Sequence, residues 1–345
     1  LPDSSPVWAD ETLLKRIGKS PHDYFRFINI AFAGEVCRIF ATVMPVLPTV
    51  NLHGDAHLEQ IAVTSTGFGL VDFDDSASGP PVIDIVRFLV SIEITLRQLG
   101  WEAHSDEVQE TFMRAYRLGL SDTAEAPPIP AAVARIRSDF EANIGSFLEA
   151  AESKMLPVSG PEKEEAEKGY ARYVELMLRI HPSWTESMLG LKRWGFLSQD
   201  GIGSATTRRY LARIEGRSAD PDDDVILEAK ELRDISGVPC VVAQRGGALR
   251  VIAGAVRFGQ QSDPYLAIIP RGSEEAADDP PWWVQSWHPT YTELDVESSL
   301  ESVTELKAVI ETAGFQMARG HTNLLPPPYD RQLCELVRAM LGERQ

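Results

Sequence analysis

Between residues 53 and 84 the chain reads HGDAHLEQ, then two short apolar runs, then VDFDDSASGPPVID. No other stretch limits the possible folds as tightly. Pro45 and Pro48 stop any helix from running into it. Residues 49–52 therefore read as a short extended segment that delivers Asp55 on a loop opened by Gly54. Residues 61–63 and 68–73 read as two strands around a turn at Thr66-Gly67. Asp72 ends the second strand, 17 residues after Asp55, and Gln60 precedes the hairpin. A hairpin of this size can gather Asp55, Gln60 and Asp72 around one point.

Those side chains suit phosphoryl transfer to a hydroxyl. That reaction needs a carboxylate to orient and accept the hydroxyl proton, and oxygen ligands for the metal that neutralises a polyphosphate. Mg²⁺ takes one or two carboxylates and keeps several waters. Asp55 fits the first role; Asp72 with Gln60 fits the second. Asp74 and Asp75 divide evenly between joining a second metal, a role assigned here to Asp74, and being solvated loop acids. Asp84 and Arg87 read as supports that hold the loop by hydrogen bonds or an ion pair. His53, His57 and His321 read as structural histidines.

Around this stretch the chain is first helical, then β-rich, then helical again. Ser20-Pro21 predicts a helix start. Residues 24–40 are apolar nearly all round and predict a buried helix. Pro80-Pro81 opens a helix that Gly100 ends, with Val82, Val86, Leu89, Ile92, Leu96 and Leu99 as its core stripe. Residues 106–119, 130–153 and 161–180 predict further helices, the last a solvated one rich in Glu and Lys. From 196 to 284 short β-branched runs predict strands at 210–215, 225–230, 240–244 and 265–270, with one helix at 248–261. Helices return at 298–319 and 330–342. The expected fold class is α+β in two lobes: 1–195 helical, 196–290 β-rich, and 291–345 returning to the first.

The formal net charge is −18. A surface this acidic repels nucleic acid and anionic lipid, so neither is an expected partner. The acidic clusters at 222–224 and 274–279 read as solvated loops. Cys37, Cys240 and Cys334 are odd in number and far apart. They predict neither a disulfide framework nor a zinc site, and they fit a reducing, cytoplasmic setting. No apolar run is long enough to span a membrane, and no charged segment leads into an apolar one as in a signal peptide.

Two features of the β-rich part fit a nucleotide. Gly201, Gly203 and Ser204 precede the 210–215 strand, and VILEAKE puts Lys230 on the next. Glycines allow close backbone approach to phosphate oxygens. A strand lysine can reach the phosphates themselves. Either feature alone is an ordinary hairpin turn or a half-exposed lysine; together, in this order, they point to a nucleotide, with ATP and GTP not distinguished.

HGD-x₄-Gln followed by a strand and VDFDDS resembles the catalytic and metal loops of aminoglycoside phosphotransferases and other kinase-like enzymes. Residues 54–60, 71–76 and Gly79-Pro80 with Asp84 and Arg87 also resemble an uncharacterised bacterial family, domain-of-unknown-function family 2252. The segment 281–289 is similar to a kinase hinge, and 314–323 to the helix that follows one. The resemblance implies a circularly permuted kinase-like fold whose nucleotide lobe follows the catalytic loop. It implies transfer of the ATP γ-phosphate, with Mg²⁺, to a hydroxyl of a small-molecule acceptor. Two positions depart from the pattern: Gln60 stands where relatives carry Asn, and Ala253 where a helix usually carries the glutamate that pairs with the lysine. These departures keep a nucleotide-binding pseudokinase or an interaction module in play. Two hydrolase readings stand beside them. His53, Asp55, His57 and Asp72 form a plausible Zn²⁺ or Mn²⁺ cluster. VDFDDS also matches the nucleophile loop of haloacid-dehalogenase-like phosphatases, although that fold requires alternating strands and helices where 82–190 reads as helix.

Overall fold

A computed structural model describes residues 11–121, 125–140, 143–197, 207–242, 247–259, 263–271, 280–323, 326–327 and 329–342. The chain opens with α1 (Glu11–Ile17), α2 (Pro21–Phe27) and α3 (Asn29–Ile39). Ser20 caps α2 by accepting the Asp23 N–H at 3.0 Å. The single buried helix expected over 24–40 is instead two helices that break at Ile28, and Tyr24 and Ile39 are exposed. Only Asn29, Ala33, Val36 and Cys37 of α3 are buried, because one face of the helix meets the core.

Four short strands follow: β1 (Val50–Leu52), β2 (Ile61–Thr64), β3 (Phe68–Leu70) and β4 (Ala77–Gly79). β1 pairs antiparallel with β4, and β2 with β3. This hairpin arrangement brings loop 53–60 beside loop 71–76. Next come α4 (Val82–Leu99), α5 (Ser105–Gly119), α6 (Ala131–Ser138), α7 (Ile144–Ser153), β5 (Met155–Leu156) and α8 (Gly160–Ile180). Gly100 ends α4 with φ of 70°, a left-handed cap. The core side of α4 is rotated from the expected stripe. Ile83, Ile85, Phe88, Ile92 and Leu96 are buried, whereas Val82, Val86, Leu89 and Leu99 are only partly so. The rotation turns Asp84 and Arg87 inward as well.

The third part contains β6 (Leu191–Leu197), β7 (Arg209–Ile214), β8 (Val225–Glu231), α9 (Leu249–Phe258), β9 (Ala267–Ile269), β10 (Trp282–Ser286) and β11 (Tyr291–Glu293). Helices α10 (Val303–Thr322) and α11 (Tyr329–Met340) close the chain. One antiparallel sheet runs β5-β6-β7-β8-β10-β9, and β11 joins β2-β3 in another. The class is α+β. The sheet starts upstream of residue 196 and takes in 282–286, read from sequence as hinge. No strand forms at 240–242; Cys240 lies in a turn there. α8 is not solvated all round: Gly169, Tyr173 and Met177 are buried against the sheet. Asp224 is not a solvated loop acid either; its buried carboxylate meets Lys192 and Arg213.

The main core gathers α3, α4, α5 and α10 with the short strands. α10 runs against α5 so closely that a Cβ on Gly314 would lie 2.7 Å from the Phe112 carbonyl oxygen. Cys37 and Cys240 form a disulfide with Cα atoms 5.7 Å apart, which overturns the expectation of unpaired cysteines. Sequence spacing could not reveal it, since 203 residues separate the partners and only folding brings α3 to the segment after β8. Cys334 is buried and takes no part in the disulfide. Among the described residues no helix is long and apolar enough to cross a membrane.

Candidate active site

Asp84 organises loop 53–60. Its carboxylate accepts the backbone N–H groups of His53 at 2.7 Å and Gly54 at 3.0 Å, and His321 Nε2 at 3.0 Å. His321 in turn meets the Tyr116 hydroxyl through Nδ1 at 2.7 Å. Burial works to raise the Asp84 carboxyl, but His321 and the backbone donors outweigh it and hold it below its ordinary value. His53 spends both nitrogens inside the fold: Nε2 on the Val71 carbonyl at 3.0 Å and Nδ1 on the Asp55 N–H at 3.3 Å. It is thus unavailable to a metal. His57 is wholly buried, and neither of its nitrogens has a hydrogen-bond partner. Burial, then the charges of Arg26 and Arg87, keeps it neutral.

The side chain of Asp55 reaches the cleft from this loop. Arg87 Nε donates to Oδ1 at 2.7 Å, and Arg87 Nη2 contacts the same oxygen. The guanidinium is buried over the Phe25 ring, 4.2 Å from its centroid. Burial pushes Asp55 up to about 6, while Arg87 pulls against that rise. A carboxylate in this range is matched to proton transfer near neutral pH.

Loop 71–76 lies against the first loop. Gly54 has φ of 84°, and a Cβ there would come 1.9 Å from the Asp75 carbonyl oxygen. Asp72, with φ of 62°, is the only non-glycine residue among those described with positive φ. Such backbone is uncommon outside glycine and clusters at functional sites. Gln60 Nε2 stands 3.5 Å from Asp55 Oδ2 and 3.3 Å from Asp72 Oδ2, linking the two carboxylates.

Lys230 arrives from β8. Its Nζ lies 3.1 Å from Asp72 Oδ1 and 3.4 Å from Asp74 Oδ2. Burial acts to raise Asp72, yet Lys230 and hydrogen bonds from Asp74 and Gln60 hold it far below its usual value. Asp74 moves the other way, raised by burial and then by the charge of Asp72. Asp75 is committed elsewhere: its Oδ2 accepts Asn29 Nδ2 at 2.6 Å and Arg233 Nη1 at 2.8 Å. Arg250 of α9 holds the loop backbone through the carbonyls of Asp74 and Ser76.

Asp55, Gln60, Asp72, Asp74 and Lys230 thus meet in one cleft of about 1210 Å³. Gly201, Gly203 and Ser204 lie outside the described residues. Ala253 leaves α9 without a carboxylate for Lys230. Glu231 points to the opposite face and pairs with Arg208 and Arg271. Sequence reasoning missed Glu228, which shares the Lys230 face by the two-residue period of a strand. Its carboxylate accepts Arg209 Nε at 2.8 Å, Trp287 Nε1 at 2.9 Å and Gln285 Nε2 at 3.1 Å. That period was a usable signal. Asn29, Arg233 and Arg250 gave none, because each acts across a long stretch of chain.

Among the described residues no three His, Cys, Asp or Glu side chains gather in a form that would hold a metal by themselves. Asp72 and Asp74 offer two carboxylates, and Asp74 Oδ1 is buried with no hydrogen-bond partner. Two carboxylates completed by phosphate oxygens and water suit Mg²⁺, whereas a zinc site needs three or four protein ligands, mostly nitrogen and sulfur.

No curated protein and no solved structure matches the chain. Residues 11–160, which carry every residue of both loops but stop short of Lys230, match the family described as "Uncharacterized protein conserved in bacteria (DUF2252)".

Proposed function

We propose that the chain is a circularly permuted kinase-like phosphotransferase that moves the γ-phosphoryl group of ATP to a hydroxyl of a small-molecule acceptor. The observation that carries this reading is the 3.1 Å contact between Lys230 and Asp72, residues 158 apart in sequence. Nucleotide-lobe lysine and metal-loop aspartate must face the same phosphates in a kinase. The order of elements agrees: the glycine segment lies between β6 and β7, the lysine is on the third strand of that run, and α9 follows. The cleft is large enough for a nucleotide and a second substrate.

Asp55 would orient the acceptor hydroxyl and take its proton, and Lys230 would contact the phosphates once released from Asp72. Asp72 and Asp74 would hold Mg²⁺, with Gln60 joining them if its amide turns to present Oε1. Bound there, the ion would neutralise polyphosphate charge. Arg209, beside Glu228 in the cleft wall, adds a second cation near the phosphates. A pseudokinase is the second reading, favoured by one observation: α9 carries no Asp or Glu and so offers Lys230 no carboxylate. The Cys37–Cys240 disulfide favours an oxidising compartment over the cytoplasmic one suggested by cysteine spacing.

Asp55→Asn separates the two readings. With radiolabelled ATP and a panel of hydroxyl-bearing acceptors, wild type should transfer label. The variant should lose at least ~100-fold in rate while binding Mg²⁺-ATP as before. Undiminished transfer by Asp55→Asn would remove Asp55 from the chemistry; binding without turnover in wild type would favour the pseudokinase.

A further inference from the structure

The six-stranded sheet has a second face, turned away from the cleft. Strand alternation sends Arg209, Glu228, Lys230 and Trp283 to the cleft, and Tyr210, Ala212, Leu227, Ala229 and Trp282 to the other side. α8 covers that side, but incompletely. Between helix and sheet lies a cavity of about 240 Å³.

Its origin is a facing set of small residues. Ala166 and Gly169 on α8 oppose Ala212 and Ala229 on β7 and β8. A Cβ placed on Gly169 would meet nothing within 4 Å, so the glycine is not there to permit close packing. Trp194, Tyr210 and Trp282 wall the space with rings. The tyrosine hydroxyls around it are already engaged. Tyr170 donates to the Leu189 carbonyl, Tyr173 to the Tyr265 carbonyl at 3.1 Å, and Tyr210 to Glu162 at 2.6 Å. Glu167 is the only charged residue in the lining among those described, and it is exposed.

We propose that this cavity binds an uncharged aromatic molecule of one or two rings. An apolar cavity of ~150 Å³ stays dry and admits benzene, so the space here takes a ring more. Ring walls favour an aromatic occupant through edge and offset contacts. Committed hydroxyls leave a polar or charged ligand group unsatisfied, which disfavours its burial; the exposed Glu167 is paired with Lys163 at 3.7 Å and adds no uncompensated charge at the rim. The site is separate from the catalytic cleft and stands whether or not that cleft takes a nucleotide. It touches β8 on the reverse side from Lys230, one residue away at Ala229.

The test is a titration of the full chain with naphthalene, followed by ligand-observed NMR and by melting temperature. Saturable binding and a raised melting temperature are expected for wild type. Gly169→Leu should fill the cavity, weaken binding at least tenfold and leave the melting temperature unchanged or higher. Ala166→Leu serves the same purpose should the first variant not fold. Absence of saturable binding to wild type would overturn the proposal, as would equal affinity in the filled variants. Equal binding of 2-naphthoate would overturn the uncharged class. A dimer by light scattering that masks the cavity until diluted would assign it to a second copy of the chain instead.

Discussion

Asp55 sits between two opposing influences. Burial raises its carboxyl to about 6 from an ordinary 3.8, and Arg87 limits the rise. The folded protein therefore binds this proton more tightly than the unfolded chain. Its stabilising contribution is complete below about pH 3.8 and is lost as pH rises through about 6. In the proposed transfer, activity would run the opposite way, because a base acts unprotonated. We expect kcat/KM for transfer to rise with pH through about 6. Arg87→Met removes the opposing charge and should move that limb upward by roughly one to three pH units. A pH–rate profile of both proteins checks this; an unmoved limb would mean that another group sets it. At this scale the motifs singled out Asp55, Asp72 and Lys230, which the fold brings into one cleft. The sequence was silent for Asn29, Arg233 and Arg250, whose partners lie far away in the chain. For Gln60, the sequence offered a carbonyl oxygen for metal; the fold turns the amide nitrogen toward both carboxylates.

The two acidic loops work as one element because glycine lets them touch. Gly54 needs both its left-handed backbone and its missing side chain. Gly54→Ala should cost ~3 kcal/mol or more, from backbone strain and collision with the Asp75 carbonyl. Urea unfolding measures it, and a loss below ~1 kcal/mol would mean that the loops are not packed as described. α4 shows how tertiary demands override periodicity. Its apolar pattern predicted a stripe through Val82, Val86 and Leu89, yet the helix turns Asp84 and Arg87 inward to hold loop 53–60. Periodicity counts apolar residues and cannot weigh a buried acid and base. The break at Ile28 has no marker in the sequence for a related reason: neither glycine nor proline stands there. Helix ends with chemical markers, at Ser20-Pro21 and Gly100, were legible.

At the level of the whole molecule, the α, β, α order and the α+β class were readable from composition shifts along the chain. Pairing was not: β5, β6 and β10 enter the sheet from a gap between two predicted helices, a boundary and a hinge. The Cys37–Cys240 bond ties α3 to the segment that holds Arg233 on Asp75. It therefore straps the β-rich part to the acidic loops. Under denaturing, non-reducing conditions one thiol per chain, Cys334, should titrate; three would refute the bond. Cys37→Ser should lower stability on the order of 5 kcal/mol in the chain-entropy treatment of so long a loop.

In the proposed function, two distant halves of the chain build one Mg²⁺-nucleotide site. Its most direct test is the melting temperature of wild type and Asp72→Ala, each with and without Mg²⁺-ATP. At 100 times its dissociation constant a ligand adds about 2.7 kcal/mol, a rise of several degrees. We predict that rise for wild type, dependent on magnesium and absent in Asp72→Ala. An equal rise in both proteins, or none in wild type at saturating nucleotide, would rule out a nucleotide site built on Asp72.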